Sequence, residues 1–206
     1  MAFAMEHKGV ESTCFADAVT RRRSVRKLKR HASVNQAQID KIVRIVVNAP
    51  SAYNMQSGRL VVLMDDEHEA FWDLAKMTYA QLLPEEKVAS FMERLDGFRC
   101  GNGTVLFFED EQTIREMQEK IPANKDSFVD WSHHGSGMLQ FAMWTALCAD
   151  GIAASLQHVN AIEEQFKERY HISPNWKMIA QMPFGAPDEE PVAKTMLDYA
   201  DVVKFY

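Results

Sequence analysis

The chain has 206 residues, 47% of them hydrophobic, with 23 basic against 29 acidic side chains and a formal net charge of -6. This length and composition predict a sizeable core in one domain over 1–206, and the acidic balance weighs against nucleic acid or an anionic membrane surface as a partner unless one local patch carries the contact. Cys14, Cys100 and Cys148 form neither a CxxC pair nor a disulfide framework; the opening stretch MAFAMEHKGVEST lacks an apolar leader segment, and LVVLM and FAMWTALCA are too short to cross a bilayer, which together predict a soluble cytoplasmic protein.

In chain order, TCFADAVTRRRS reads as a short helix broken at a basic cluster. A second helix is expected over NQAQIDKIVRIVVNAP, where Ile39, Ile42, Val43, Val46 and Val47 fall at helical spacing, with Asn35 or Ser33 as its cap and Pro50 beyond its end. GRLVVLMDD reads as a buried strand. EHEAFWDLAKMTYAQLL follows as a helix capped by Asp65 or Asp66, and EEKVASFMERL as another. After a glycine-rich break at DGFRCGNG, the β-branched and aromatic residues of TVLFFED predict a second buried strand, followed by a helix over EQTIREMQEK. The longest helix is expected over SFVDWSHHGSGMLQFAMWTALCADG, apolar on most sides from Met138 onward, therefore central, and terminated by Gly151. WKMIAQMPFG is a third strand, and LDYADVVKFY closes the chain as a strand or an extended arm. Patterning alone gives an α+β or mixed α/β layer fold.

Two segments carry candidate chemistry. Seven of the ten residues from Arg21 to Arg30 are Lys or Arg. Such a run forms either a solvated face or an anion site; for the latter, Ser24 adds a hydroxyl, the guanidinium groups offer forked donors for a phosphate, and the helix break leaves backbone N–H groups available. The segment APSAYNMQSGR is either an ordinary helix-to-strand connection or a site for a flat heterocycle, because its small residues permit close approach and Asn54 and Gln56 both donate and accept. His133, His134, His158 and Cys100 lack metal-ligand spacing and read as surface or core side chains. Cys148 reads as a buried structural thiol rather than a nucleophile, and Trp131, Phe141, Met143 and Trp144 as core, with Trp131 and His134 as possible borders of a pocket. Neither a GxGxxG motif nor a P-loop is present.

The segments RRRSVRKL (21–28), NAPSAYNMQSGRLVVL (48–63), GTVLFFED (103–110), MLQFAMWTALCADGIAASLQH (138–158) and WKMIAQMPFGAP (176–187) resemble the FMN-dependent nitroreductase family, in the family's order. ASLQH and AQMPFG resemble in particular its short subfamily of fungal fatty-acid-signalling and bacterial copper-induced proteins. The resemblance implies an α+β fold with a central, mostly antiparallel sheet flanked by helices. It also implies a homodimer with FMN at the subunit interface and a C-terminal arm reaching the partner.

Carried over by the same resemblance, Arg22, Arg23 and Ser24 would hold the ribityl phosphate, and Arg26 would reach the pyrimidine edge, where a cation stabilises the negative charge left near N1 and O2 by two-electron reduction. Pro50, Ser51, Ala52, Asn54 and Gln56 would line the flavin from the partner subunit. Ser155, Leu156, Gln157 and His158 would lie along its other side, one of them offering a backbone N–H to N5. Lys194 alone stands where relatives carry a basic pair. The implied activity is ping-pong hydride transfer from NADH or NADPH to a small-molecule acceptor such as a nitroaromatic or quinone, without a side-chain nucleophile or a metal; the alternative is a flavin-binding regulatory or stress-response protein with little turnover.

Overall fold

The computed structural model describes residues 15–206. The opening stretch, Cys14 and the expected start of the first helix lie outside the described residues. The chain runs α1 (Phe15–Arg21), β1 (Leu28–Lys29), α2 (Gln36–Val46), β2 (Gly58–Met64), α3 (Asp65–Leu82), α4 (Glu85–Arg99), β3 (Gly103–Asp110), α5 (Glu111–Lys120), α6 (Ser127–Ala149), β4 (Ala153–Ala154), α7 (Glu163–Tyr170), β5 (Trp176–Pro187) and α8 (Tyr199–Val202). The strands form one sheet in the order β1-β5-β3-β2, with β4 also on β5, and every named strand pair is antiparallel. The fold is α+β, as expected.

Alternation along β3 builds the core. Val105 and Phe107 face one side of the sheet, where they meet Ile39, Ile42 and Val46 of α2 and Met143 and Leu147 of α6. Leu106 and Phe108 face the other, against Phe71 and Trp72 of α3, Leu95 and Phe98 of α4 and Phe166 of α7. Two-residue periodicity in a strand buried on both faces therefore fixes a helix–sheet–helix sandwich. A register shift between Phe107 and Phe108 leaves Ile179 of β5 without a partner and brings Lys177 opposite Glu109.

Several local expectations need correction. β2 is an edge strand and mostly half-buried, because β3 covers only one of its sides. Neither Asp65 nor Asp66 caps α3: the helix begins at Asp65, the cap position is Met64 without a side-chain bond, and the two carboxylates instead complement the dipole of the first turn. Asn35 does cap α2, its Oδ1 accepting from the Gln38 N–H at 3.1 Å. The expected break at DGFRCGNG starts later, since α4 continues through Gly97 to Arg99. Residues 188–198 are irregular and only the short α8 follows, so LDYADVVKFY is neither a strand nor extended throughout. The pattern reading did not anticipate β1, β4 or α7. Among the described residues no helix is long and apolar enough to cross a membrane.

Candidate functional site

The basic cluster lies where α1 ends and the chain meets β4. Ser24 bridges to Ala154, and the Val25 N–H donates to the Ala154 carbonyl at 3.1 Å, which fixes the segment beside the C-terminal end of α6. Arg21, Arg22 and Arg23 line a cavity of about 180 Å³ together with Trp144 and Cys148 of α6. The Arg22 guanidinium lies over the Trp144 ring, 4.2 Å from its centroid. Arg23 Nη1 donates to the Thr20 and Arg22 carbonyls at 2.7 and 2.8 Å, closing the helix end. The backbone N–H groups of Arg23 and Ser24 have no partner among the described residues. Guanidinium groups and free amides on one concave wall are the means by which a protein holds a phosphate.

Arg26 and Lys27 differ from this wall. Their backbone N–H groups donate to Glu189 Oε1 at 2.5 and 3.2 Å, and Lys29 pairs with Asp188 at 3.1 Å, so the irregular tail is moored along the basic strand. The Arg26 side chain is exposed, and Lys194 lies farther along the tail, also exposed. Burial pushes the Cys148 thiol up, while Arg21, Arg22 and Arg23 pull the other way. This cysteine is half-buried on the cavity wall, contrary to the expected buried core thiol.

The 50–56 segment forms a second concavity, of about 340 Å³, lined by Pro50, Ser51 and Gln56 with Gly135 and Leu139 of α6. Ser51 Oγ accepts from the Gln56 N–H at 3.0 Å, and Arg59 Nη1 donates to the Gln56 carbonyl at 2.5 Å while its Nη2 pairs with Asp110 at 2.8 Å. Tyr53, Asn54 and Gln56 have φ of 53°, 52° and 50°. Left-handed backbone suits Asn but strains Tyr and Gln, and it persists where the surroundings over-determine it. The Tyr53 ring packs 5.7 Å from both Phe128 and Trp131, and its hydroxyl accepts from Asn124 at 2.9 Å. Ala52 and Asn54 belong to this turn, with Asn54 exposed.

Residues 155–158 run beside β5. The Ser155 N–H donates to the Pro183 carbonyl and the Gln157 N–H to the Gln181 carbonyl, while Gln157 Nε2 donates to Ser155 Oγ at 3.0 Å. The N–H groups of Leu156 and His158 have no such partner among the described residues. Arg22–Ser24 and 153–155 therefore come together, whereas the 50–56 loop lies near Gly135. Gly135 and Trp144 are nine positions apart on α6, about 14 Å along the helix axis.

A family model described as the nitroreductase family matches residues 19–186. The chain belongs to that family. This membership places its chemistry among the oxidoreductases. Nitroreductase FRM2 of Saccharomyces cerevisiae is 29% identical over 197 residues, covering 93% of this chain and 96% of that protein. The nitroreductase CinD of Lactococcus lactis, solved in complex with chloramphenicol, is 32% identical with a TM-score of 0.83, over 94% of this chain and 100% of that one. A nitroreductase-like protein from Desulfovibrio desulfuricans, solved in complex with FMN, shares the fold at 17% identity with a TM-score of 0.69, over 94% of this chain and 97% of that one.

Sequence reasoning missed two side chains of this candidate site. Trp144 reads as core from its apolar helix, and its pairing with Arg22 joins residues 122 positions apart (144 − 22). Arg59 carries no signal inside a strand, yet it pins the 50–56 loop from below. His133, His134 and His158 are exposed, and among the described residues no group of three His, Cys, Asp or Glu side chains could hold a metal ion.

Proposed function

We propose that the protein is an FMN-dependent NAD(P)H oxidoreductase that reduces flat acceptors such as nitroaromatics and quinones. The observation that carries this reading is the wall formed by Arg22, Arg23 and the unspent N–H groups of Arg23 and Ser24. These groups fit a terminal phosphate: the guanidinium charges are fixed, two neighbouring amides are unspent, and Trp144 keeps the Arg22 guanidinium in place. Arg26 is free to swing its exposed guanidinium to a pyrimidine edge. Of the four residues beside β5, Leu156 and His158 retain an N–H for N5, because Ser155 and Gln157 have spent theirs. Lys194, on the moored tail, would be a further phosphate contact.

Bound FMN would supply two-electron hydride chemistry at its N5 position. The chain's part is to bind, orient and leave one ring face open to a nicotinamide donor and then to an acceptor. Pro50, Ser51, Ala52, Asn54 and Gln56 lie beside Gly135, in a concavity apart from the arginine wall, and in this reading they line the ring held by a second copy. Support for that homodimer comes from an apolar groove of about 590 Å³ between the two half-sites, whose walls include Phe15, Ile45, Met138 and Phe141. Phe15 is 71% exposed and Ile45 57%, a patch that a monomer would leave in water. Val192, Met196 and Phe205 of the tail are likewise exposed and supply an arm for the partner.

An absorption spectrum of the freshly purified protein tests the cofactor; a colourless protein that neither quenches FMN fluorescence nor gains thermal stability from FMN would end this reading. Steady NAD(P)H oxidation with a nitro compound or quinone then separates an enzyme from a flavin-binding stress protein.

A further inference from the structure

Glu109 is the last-but-one residue of β3 and is only 2% exposed. Ser57 and Ser136 lie beside its carboxyl group, yet neither carboxylate oxygen completes a well-formed hydrogen bond among the described residues. Burying such a group without partners costs free energy, so its persistence calls for an occupant. Glu109 lines a cavity of about 280 Å³ between α5, α6 and β5, separate from both half-sites above. That space equals about nine water molecules of liquid volume.

The walls define the occupant. Lys177 stands directly opposite Glu109 on β5, where facing side chains share one side of the sheet, yet no partner reaches either Glu109 oxygen among the described residues. Lys177 and Arg115 line the same cavity, as do the exposed His133 and Glu111, whose carboxylate pairs with Arg115 at 3.8 Å. With Arg115 already paired to Glu111, Lys177 is the charge that answers Glu109: a plain organic cation would satisfy Glu109 but face the Lys177 ammonium, and a plain anion would suit Lys177 but meet the buried carboxylate. Ile114, Val129 and Ile179 add branched apolar side chains to the walls, beside the polar Gln118 and Ser132.

We infer that this cavity is a binding site for a small zwitterion with a branched aliphatic body, an α-amino acid in chemical class, its ammonium on Glu109 and its carboxylate on Lys177 and Arg115. The ammonium supplies the donors that both Glu109 oxygens lack, and the carboxylate neutralises Lys177 and draws on the remaining N–H groups of Arg115. The site is independent of the flavin reading, since none of the residues assigned to FMN lines it.

Calorimetric titration of the full chain as purified tests this, with L-leucine as the probe and isopentylamine and 4-methylpentanoate as controls lacking one charge each. L-leucine is expected to bind one per chain, and each control about tenfold more weakly or worse. Glu109→Gln should weaken L-leucine by about tenfold or more with flavin content unchanged, and Lys177→Gln should weaken L-leucine and 4-methylpentanoate but spare isopentylamine. The inference is overturned by L-leucine giving no heat up to about 10 mM, by either control binding as tightly, or by Glu109→Gln leaving the affinity unchanged. Should that variant fail to fold, the three-ligand comparison on the unsubstituted protein decides alone.

Discussion

The Arg22 guanidinium carbon lies 4.2 Å from the centroid of the Trp144 ring. The ring holds one face of the cation and leaves its N–H edge directed for a planar acceptor, so charge and orientation are fixed before any ligand arrives. Replacing Arg22 and Arg23 together with alanine should weaken FMN retention by about 2 to 5 kcal/mol. Trp144→Leu leaves the charge but removes the stacking face, and should cost about 1 kcal/mol. Fluorescence quenching of FMN measures both; retention unchanged in the double variant would remove the pair from the site.

Gly97 sits inside α4 because the backbone of the basic strand passes over it. A Cβ at this position would lie 2.7 Å from the Arg26 carbonyl oxygen, closer than real contacts allow. Gly97→Ala gains helix propensity worth about 1 kcal/mol, but the clash is with backbone and cannot be relieved by a rotamer change. The expected result is a lower melting temperature together with weaker FMN retention, since residues 22–26 must shift. A variant as stable as the parent would show that this crossing can move.

That glycine illustrates which features the sequence conveys. Segments whose partners are their own neighbours were legible: the 3.6-residue spacing of Ile39, Ile42 and Val46 marked α2, and the β-branched and aromatic run marked β3. Features created by distant chain were not. β1 and β4 are two residues each and exist through pairing with β5, while α7 is polar around most of its surface and buries only Phe166. The glycines of DGFRCGNG suggested a break because nothing local reports Arg26 overhead. Within the candidate site, the basic run and the polar loop were visible as chemistry, but their separation along α6 and the stacking of Arg22 on Trp144 depend on tertiary contacts. Glu109 fell inside the expected buried strand TVLFFED without a signal of its own; its setting beside α5 and α6 is tertiary.

His68 should give the protein an acid-sensitive component. Its Nε2 is 3.2 Å from the Arg99 carbonyl and its Nδ1 is 2.8 Å from Thr104 Oγ1, which also accepts from the Trp72 indole N–H at 2.9 Å. A neutral ring satisfies this chain: Nε2–H donates to Arg99, and Nδ1 accepts from Thr104. Burial pushes its pKa down from 6.5 to about 4, with Arg30 and Arg99 acting in the same direction. Below 6.5 the unfolded chain takes up a proton that the folded one refuses, so stability present above 6.5 is lost as pH falls toward about 4. The loss attributable to this group is on the order of 3 kcal/mol. Denaturant melts of the parent and His68→Gln between these limits should converge toward low pH; parallel curves would place the acid sensitivity elsewhere.

Glu109 works in the opposite direction. Burial pushes its carboxyl above 4.5, against the hydroxyls of Ser57 and Ser136 and the charge of Arg59, with Asp110 adding to the rise. The folded form therefore prefers the proton, and ionisation costs stability as pH rises from 4.5 through the raised value. Glu109→Gln removes that cost and keeps the shape. Without an added ligand, the variant should be more stable than the parent at pH 8 by about 1 to 3 kcal/mol, and the gain should shrink below the ordinary carboxylate range. A gain independent of pH would indicate packing rather than charge.

Phe141 offers the most direct test of whether the two half-sites meet across a subunit boundary. It lies on α6 between Gly135 and Trp144, is 44% exposed, and borders the apolar groove. A charged residue here is tolerated by a monomer, because the position already faces water, but an interface would have to desolvate it without a partner at a cost of about 2 kcal/mol or more on each side. Phe141→Asp should therefore sediment as a monomer that still unfolds cooperatively, its melting temperature lowered only by the lost association and no longer dependent on protein concentration, when both proteins are measured without flavin. FMN retention should fall with dimerisation, although the substitution touches none of the residues assigned to the cofactor. A monomer that still holds FMN as tightly as the parent would show that one chain completes the site, and the 50–56 loop would then need another role.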